Sequence, residues 1–313
     1  MKANDETSIK EAVGLPETLT LPEYHRFSPW RVLAITTNTL IELAWQKVFY
    51  VLLIFALVLI GSSVFMTRFT FQQEFQILKD VSLGAMSIFT SVLAIVATAR
   101  LIPQDMEDRT LYTILAKPVP RYEYVLGKLL GVLLLLAISI AVMAILFTAI
   151  LYFREQSLLD ETWRQMRSGP PGQVDDALNA IRAAGLNNDI FIGVAVIFLK
   201  ASLLAALTLL VSTFATTNIF TIVVMVFVYF IAHLQPIARE YWLQQPHVGL
   251  ITRGFLALIT LIFPDLQAFN LIDDIVAGVA IPMAIFTKTV LLGIFYVAIY
   301  TLAAIFVFYG KEL

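Results

Sequence analysis

Between Ile190 and Leu234 the chain runs for 45 residues with one charged side chain, Lys200. A helix rises about 1.5 Å per residue, so about 20 residues cross a bilayer core about 30 Å thick. The run is therefore long enough for two crossings. It breaks at Ala215, Thr216, Thr217 and Asn218, small and polar residues suited to a tight turn, and so reads as spans four and five. Four more apolar stretches qualify: Val48 to Met66, Val81 to Leu101, Leu129 to Phe153, and roughly Ile285 to Tyr309. Composition agrees, because 59% of the 313 residues are apolar and 14% charged, too little polar material to cover a surface in water. The expected fold class is an all-α polytopic membrane protein with six transmembrane helices. Soluble, disordered, collagen-like and disulfide-scaffold classes are excluded. The absence of Cys excludes thiol catalysis and Cys-ligated metals, and a net charge of −2 points to no nucleic-acid partner.

Two apolar stretches, Gly254 to Phe263 and Ile275 to Ala284, are about half a crossing long and read as re-entrant outer helices before the last span. With both termini inside, the cytoplasmic side holds 11 Lys and Arg and the outer side 8. The loop from Arg100 to Lys128 is the densest, with five basic residues. Residues 1–27 read as a flexible cytoplasmic N-terminus without the pattern of a signal peptide, leaving span one as the insertion signal. Residues 28–47 read as a helix, with Ser28 as cap and Pro29 in its first turn. Its mixed pattern suits a helix lying at the inner membrane surface, and equally a cytoplasmic extension of span one. Residues 48–313 read as the six-span transmembrane domain, with a cytoplasmic loop at 102–128, an external loop at 154–189 and an external or re-entrant segment at 236–284. The 154–189 loop reads as two short amphipathic helices around Gly169 to Gly172, a surface that an external partner could meet.

The chain lacks the GxxxxGK[ST] phosphate loop, HExxH and GxSxG, so no catalytic residue is expected. His25, His233 and His247 are scattered, and no metal site is expected. The most patterned stretch joins spans two and three. Asp105, Glu107, Asp108 and Arg109 form a charged cap leading into a short helix, Thr110 to Ala116. Pro118 and Pro120 then force a rigid turn, and a second short helix, Arg121 to Lys128, leads into span three. A stiff cytoplasmic elbow suits the passage of force from a partner, and a solvated loop with ordinary punctuation fits the same residues.

The run Glu107 to Leu111, then Leu115 to Val119, Arg121 and Gly127 to Leu129, resembles the signature loop of type-2 ABC exporter permeases, "E-x-G-T-…-L-L-x-K-P-V-x-R-…-G-K". Arg109 stands where Gly is usual. Trp30 to Leu59, Ser212 to Phe214, Phe263 to Leu266 and Phe269 to Leu271 resemble further parts of that family. Within that family it resembles permeases of the kind found beside nitrous-oxide-reductase maturation, gliding-motility and sodium or multidrug export systems. The resemblance implies a permease in the cytoplasmic (inner) membrane that works as a homodimer or paired with a second permease. It also implies two separate ABC ATPase subunits that carry ATP and Mg, with no cofactor on this chain and membrane lipids around it. Docking and coupling would fall to Asp105, Glu107, Asp108, Arg109, Lys117, Pro118 and Arg121. An ion-coupled secondary transporter or a non-transporting scaffold are the alternatives.

Span two carries small residues at Gly84, Ser87, Ser91, Ala94 and Thr98, spaced for close packing or for lining a pathway. Gly127 and Gly131 form a GxxxG pair with the packing reading. In span five, Thr221, Met225, Tyr229 and His233 recur every four residues, so Ser87, Ser91, Thr98, Thr221, Tyr229 and His233 are the candidate pathway residues. Lys200 falls in the outer half of span four; an ionisable residue at depth marks a functional position by default, and the favoured reading is that its stem snorkels to the interface. Lys288 is expected to anchor the outer end of span six.

Overall fold

The structure, a computed structural model, describes residues 27–67, 74–108, 120–165, 171–243, 254 and 264–310. Its elements are α1 (Pro29–Ala44), α2 (Lys47–Thr67), α3 (Glu74–Ala99), α4 (Leu101–Glu107), α5 (Arg121–Gln165) and α6 (Pro171–Ala184). After these come α7 (Asp189–Phe214), α8 (Asn218–Leu243), a 3-10 turn (Gln267–Phe269), α9 (Ile272–Val276) and α10 (Met283–Tyr309). Among the described residues, six helices are long and apolar enough to cross a membrane: α2, α3 (with α4), α5, α7, α8 and α10. The described residues are all-α, as the apolar runs require, since a helix satisfies its own backbone groups in lipid.

The helices divide into core and shell. In α3 and α7, 67% of the most apolar stretch is buried inside the bundle, against 22% in α2, α8 and α10. α7 is the central post, packed against α3, α10, α5 and α8. The long apolar run ends where expected. α7 stops at Phe214, Ala215 turns extended, and α8 starts at Asn218. The small helix α4 packs on α7, which puts the end of α7, the start of α8, the end of α3 and the start of α5 at one end of the bundle. We call this the elbow end.

Several local expectations are corrected. Arg121 to Lys128 is not a separate helix but the first two turns of α5, which continues unbroken for 45 residues. At about 1.5 Å per residue α5 is about 67 Å long, so it projects beyond a bilayer core at both ends. Its final turns also absorb the first of the two helices expected in the 154–189 loop, and α6 is the second. The short helix expected at 110–116, and all but the first residue of the apolar stretch at 254–263, lie outside the described residues. The part of the segment before α10 that is described contains only the 3-10 turn and the five-residue α9. Both pack on α7 with Leu266, Phe269 and Ile275 buried, and neither is long enough to cross.

Helix α1 shows why tertiary context decides a helix end. Pro29 occupies the first turn as expected, but the Ser28 hydroxyl makes no capping bond. The cap comes from α5: Glu123, wholly buried, accepts the Ser28 backbone N–H (2.9 Å) and pairs with the Arg31 guanidinium (2.8 Å). The carboxylate thus holds a donor at the helix start and favours its dipole. The two helices then run side by side in parallel, with Arg31 against Glu123, Ile35 against Gly127 and Thr39 against Gly131. A Cβ at Gly127 would come within 2.7 Å of Ile35, and one at Gly131 within 2.7 Å of Thr39. The GxxxG pair is therefore a packing groove, and α1 is what fills it. Thr36 closes the contact by donating from its hydroxyl to the Gly127 carbonyl at 3.2 Å. Trp30, Leu33, Ile41 and Trp45 remain exposed.

Candidate functional site

Two groups of polar side chains lie in this apolar bundle, one at the elbow end and one deep between helices. At the elbow end α4 is a continuation of α3 beyond Arg100, and it brings Asp105 against α5. Asp105 is buried, 6% exposed, with its carboxylate bonded to the Tyr124 hydroxyl and paired with Lys128 Nζ at 2.7 Å. Lys128 also lies 3.5 Å from Glu42 of α1. Four residues from three helices thus form a closed ionic knot, in which the buried ammonium faces two carboxylates and its cost of desolvation is offset. Asp105, expected among the docking and coupling residues, does not stand on an exposed face: its carboxylate is engaged inside the chain. Glu107 and Asp108 are exposed at the tip of α4. Arg121 points across to the last helix, donating to the Phe308 carbonyl at 3.2 Å and the Tyr309 carbonyl at 2.7 Å. These carbonyls belong to the end of α10, where a cation suits the helix dipole. Arg109, Lys117 and Pro118 lie outside the described residues.

The deep group assembles around Lys200, and here the expectation from sequence is overturned. Lys200 does not snorkel outward. It is 4% exposed, with Nζ 3.5 Å from Ser87 Oγ of α3 and 3.2 Å from His233 Nε2 of α8. The Tyr229 ring lies 5.8 Å from Nζ and 4.3 Å from the His233 ring. Ser91, one turn from Ser87, donates to the Ser87 carbonyl at 2.7 Å and lies beside the Tyr229 hydroxyl. Four of the six candidate pathway residues, Ser87, Ser91, Tyr229 and His233, therefore meet at one place. The residue that gathers them is the one that depth alone sends to the interface. Thr98 and Thr221 do not join them. Both are buried, and they lie about 10–12 Å nearer the elbow end, counting from Ser91 and Tyr229 along their helices at about 1.5 Å per residue. Thr221 bonds back to the Thr217 carbonyl of its own helix, and the Thr98 hydroxyl has no hydrogen-bond partner among the described residues.

The protonation pattern of the deep group follows from its bonds. His233 Nδ1 is 3.0 Å from the Tyr229 carbonyl, which can only accept, so Nδ1 carries the hydrogen. In the neutral ring Nε2 is then an acceptor, facing the ammonium. A lysine ammonium has three N–H donors, while its hydrogen-bond partners in the group, Ser87 Oγ and His233 Nε2, are two and both neutral. The signal that could have placed Lys200 inward is the row Lys200, Leu204, Thr208, Ser212. At steps of four it puts the lysine on the same face as two buried hydroxyls.

Lys288 is exposed near the start of α10. The far end is held by Arg154 of α5 with Glu74 of α3, and by Glu155, which accepts the Leu186 N–H at 3.1 Å. Among the described residues no cluster of His, Asp and Glu could hold a metal ion.

A family model described as "ABC-2 family transporter protein" matches residues 65–306, leaving α1 and most of α2 outside the match. A search of curated proteins finds no match. Six apolar spans, a central buried post and a match over most of the chain agree with one another. The chain belongs to the ABC-2 transporter family: it is a membrane-spanning permease subunit, and the family implies an ABC ATPase on a partner chain.

Proposed function

We propose that this permease couples ATP hydrolysis on two separate ATPase subunits to export across the cytoplasmic membrane, working as a homodimer with both termini and the elbow end in the cytoplasm. The observation that carries this reading is the construction of the elbow end. The exposed Glu107 and Asp108 stand at the tip of α4, beside the buried Asp105 that is bonded to Lys128 and Tyr124. A push on the tip reaches α5 through that knot, α1 through Glu42 and Glu123, and α10 through Arg121. The short, buried Asp105–Lys128 pair transmits displacement because breaking it leaves an uncompensated charge in an apolar medium. Glu107, Asp108, Arg109, Lys117, Pro118 and Arg121 are the docking and coupling residues in this reading. Asp105 acts behind them as a positioning residue. ATP and Mg stay on the ATPase, whose nucleotide cycle supplies the force.

The test is coexpression with a candidate ABC ATPase subunit from the same genome, followed by affinity purification through the permease. The wild type is expected to carry the ATPase along. Double charge reversal, Glu107→Lys with Asp108→Lys, is expected to reduce its recovery about tenfold, the loss that about 1.4 kcal/mol of docking energy produces. Undiminished recovery from a folded double variant overturns the docking assignment.

A further inference from the structure

We infer that the group around Lys200 is a binding site for the anionic head of an amphiphile; this rests on the export reading above and names the class of substrate. The depth of the site is consistent from three helices. Ser87 lies 12 residues from the end of α3, Lys200 14 from the end of α7, and His233 15 from the start of α8. At about 1.5 Å per residue these are about 18–22 Å from the elbow end, about two thirds of the way across a core about 30 Å thick.

What sets this lysine apart is the missing counter-charge. Among the described residues the buried Lys128 faces Asp105 and Glu42, Arg31 faces Glu123, and Arg154 faces Glu74. Lys79, equally buried, lies in the field of Asp189 and Glu155. Lys200 is joined to a neutral imidazole, a hydroxyl and an aromatic face. The acid that comes near is Asp265, next to Leu266, whose N–H reaches the Ala232 carbonyl. Asp265 acts on His233, and its Oδ1 accepts the backbone N–H groups of Gln267 and Ala268. A buried ammonium without an anion is strongly unfavourable, so an anion brought to it from outside the chain is correspondingly favoured.

The surroundings select the kind of anion. Ser87 and Ser91 are buried, while Tyr229 and His233 are half-buried and form the open side of the group. On either side of them α8 exposes Phe227, Phe230, Ile231 and Leu234. Whatever reaches Lys200 passes over apolar side chains, which favours a ligand with a hydrocarbon tail over a hydrated ion. A phosphate, carboxylate or sulfonate head could accept from Lys200 and from the hydroxyls of Ser87 and Tyr229, while its tail lies along α8.

The experiment uses the full-length permease purified in an uncharged detergent and read by native mass spectrometry. Three probes are titrated: dioleoyl phosphatidic acid, dioleoylglycerol and inorganic phosphate. The wild type is expected to bind one phosphatidic acid at least about tenfold more tightly than either other probe, the ratio that about 1.4 kcal/mol gives. Lys200→Met, close in shape and expected to fold, should lose that preference, Lys200→Arg should keep it, and Lys288→Met should leave it unchanged. Thermal unfolding confirms that each variant is folded. The inference is overturned if Lys200→Met binds phosphatidic acid as the wild type does, or if dioleoylglycerol or inorganic phosphate binds equally well. Recovery of the ATPase with the same variants is scored separately, so failure of the export reading and failure of the anion site give different results.

Discussion

The elbow knot and the Lys200 group are built from the same materials, a buried lysine with a tyrosine beside it, yet they are opposite in electrostatic design. Lys128 sits between two carboxylates, with a third acid, Glu123, on the same helix holding Arg31. Lys200 has hydroxyl, imidazole and ring, and no carboxylate bonded to it among the described residues. A closed pair of charges resists being opened, which suits a part that must hold shape while it is pushed. An unbalanced charge in an apolar medium is a standing demand for an anion, which suits a part that must bind. The contrast predicts that charge removal acts with opposite sign at the two places.

The largest effect is expected at the balanced end. Glu123→Ala removes the buried carboxylate that pairs with Arg31 and accepts the Ser28 N–H, and is expected to destabilise the protein by about 3–5 kcal/mol. Denaturant unfolding in detergent micelles measures it, and a loss below about 1 kcal/mol would show that the pair is not structural. The next effect has the reverse sign. Lys200→Met exchanges an uncompensated ammonium for an apolar side chain of similar length, and should leave stability unchanged or raise it by about 1–2 kcal/mol in the same assay. A drop comparable to that of Glu123→Ala would erase the distinction between the two regions. The smallest effect belongs to Arg121→Ala, which removes two bonds to the end of α10 and is expected to cost about 1 kcal/mol. Faster hydrogen exchange at the last turn of α10, with the rest of the bundle unchanged, is the accompanying signature.

Much of the fold is legible in the chain itself. The turn at 215–217 is visible because small polar residues interrupt an apolar run, and the crossings are visible because a bilayer demands a minimum length. The GxxxG pair announces a close approach without saying of what, since a glycine groove carries no record of its partner. Ser28 has the chemistry of a sufficient cap, and the true cap is Glu123, 95 positions away. Asp105 reads as a surface acid because its neighbours Glu107 and Asp108 are charged, but a few residues of helix separate a buried face from an exposed one. In the deep group, Tyr229 and His233 stand out by their spacing of four and Ser87 and Ser91 by theirs. Their convergence depends on the meeting of α3, α7 and α8, which no spacing encodes.

Hydrophobic length and proline punctuation are local properties, and they are enough to make this chain a polytopic helical membrane protein, with six crossing-length helices among the described residues and a patterned elbow in its sequence. Which way Lys200 and Asp105 turn is settled by packing, as is the question of which distant residues balance a charge or leave it unbalanced. The energy of a charge in a bilayer depends on what packs within a few ångströms of it, and those neighbours come from helices far apart in the chain.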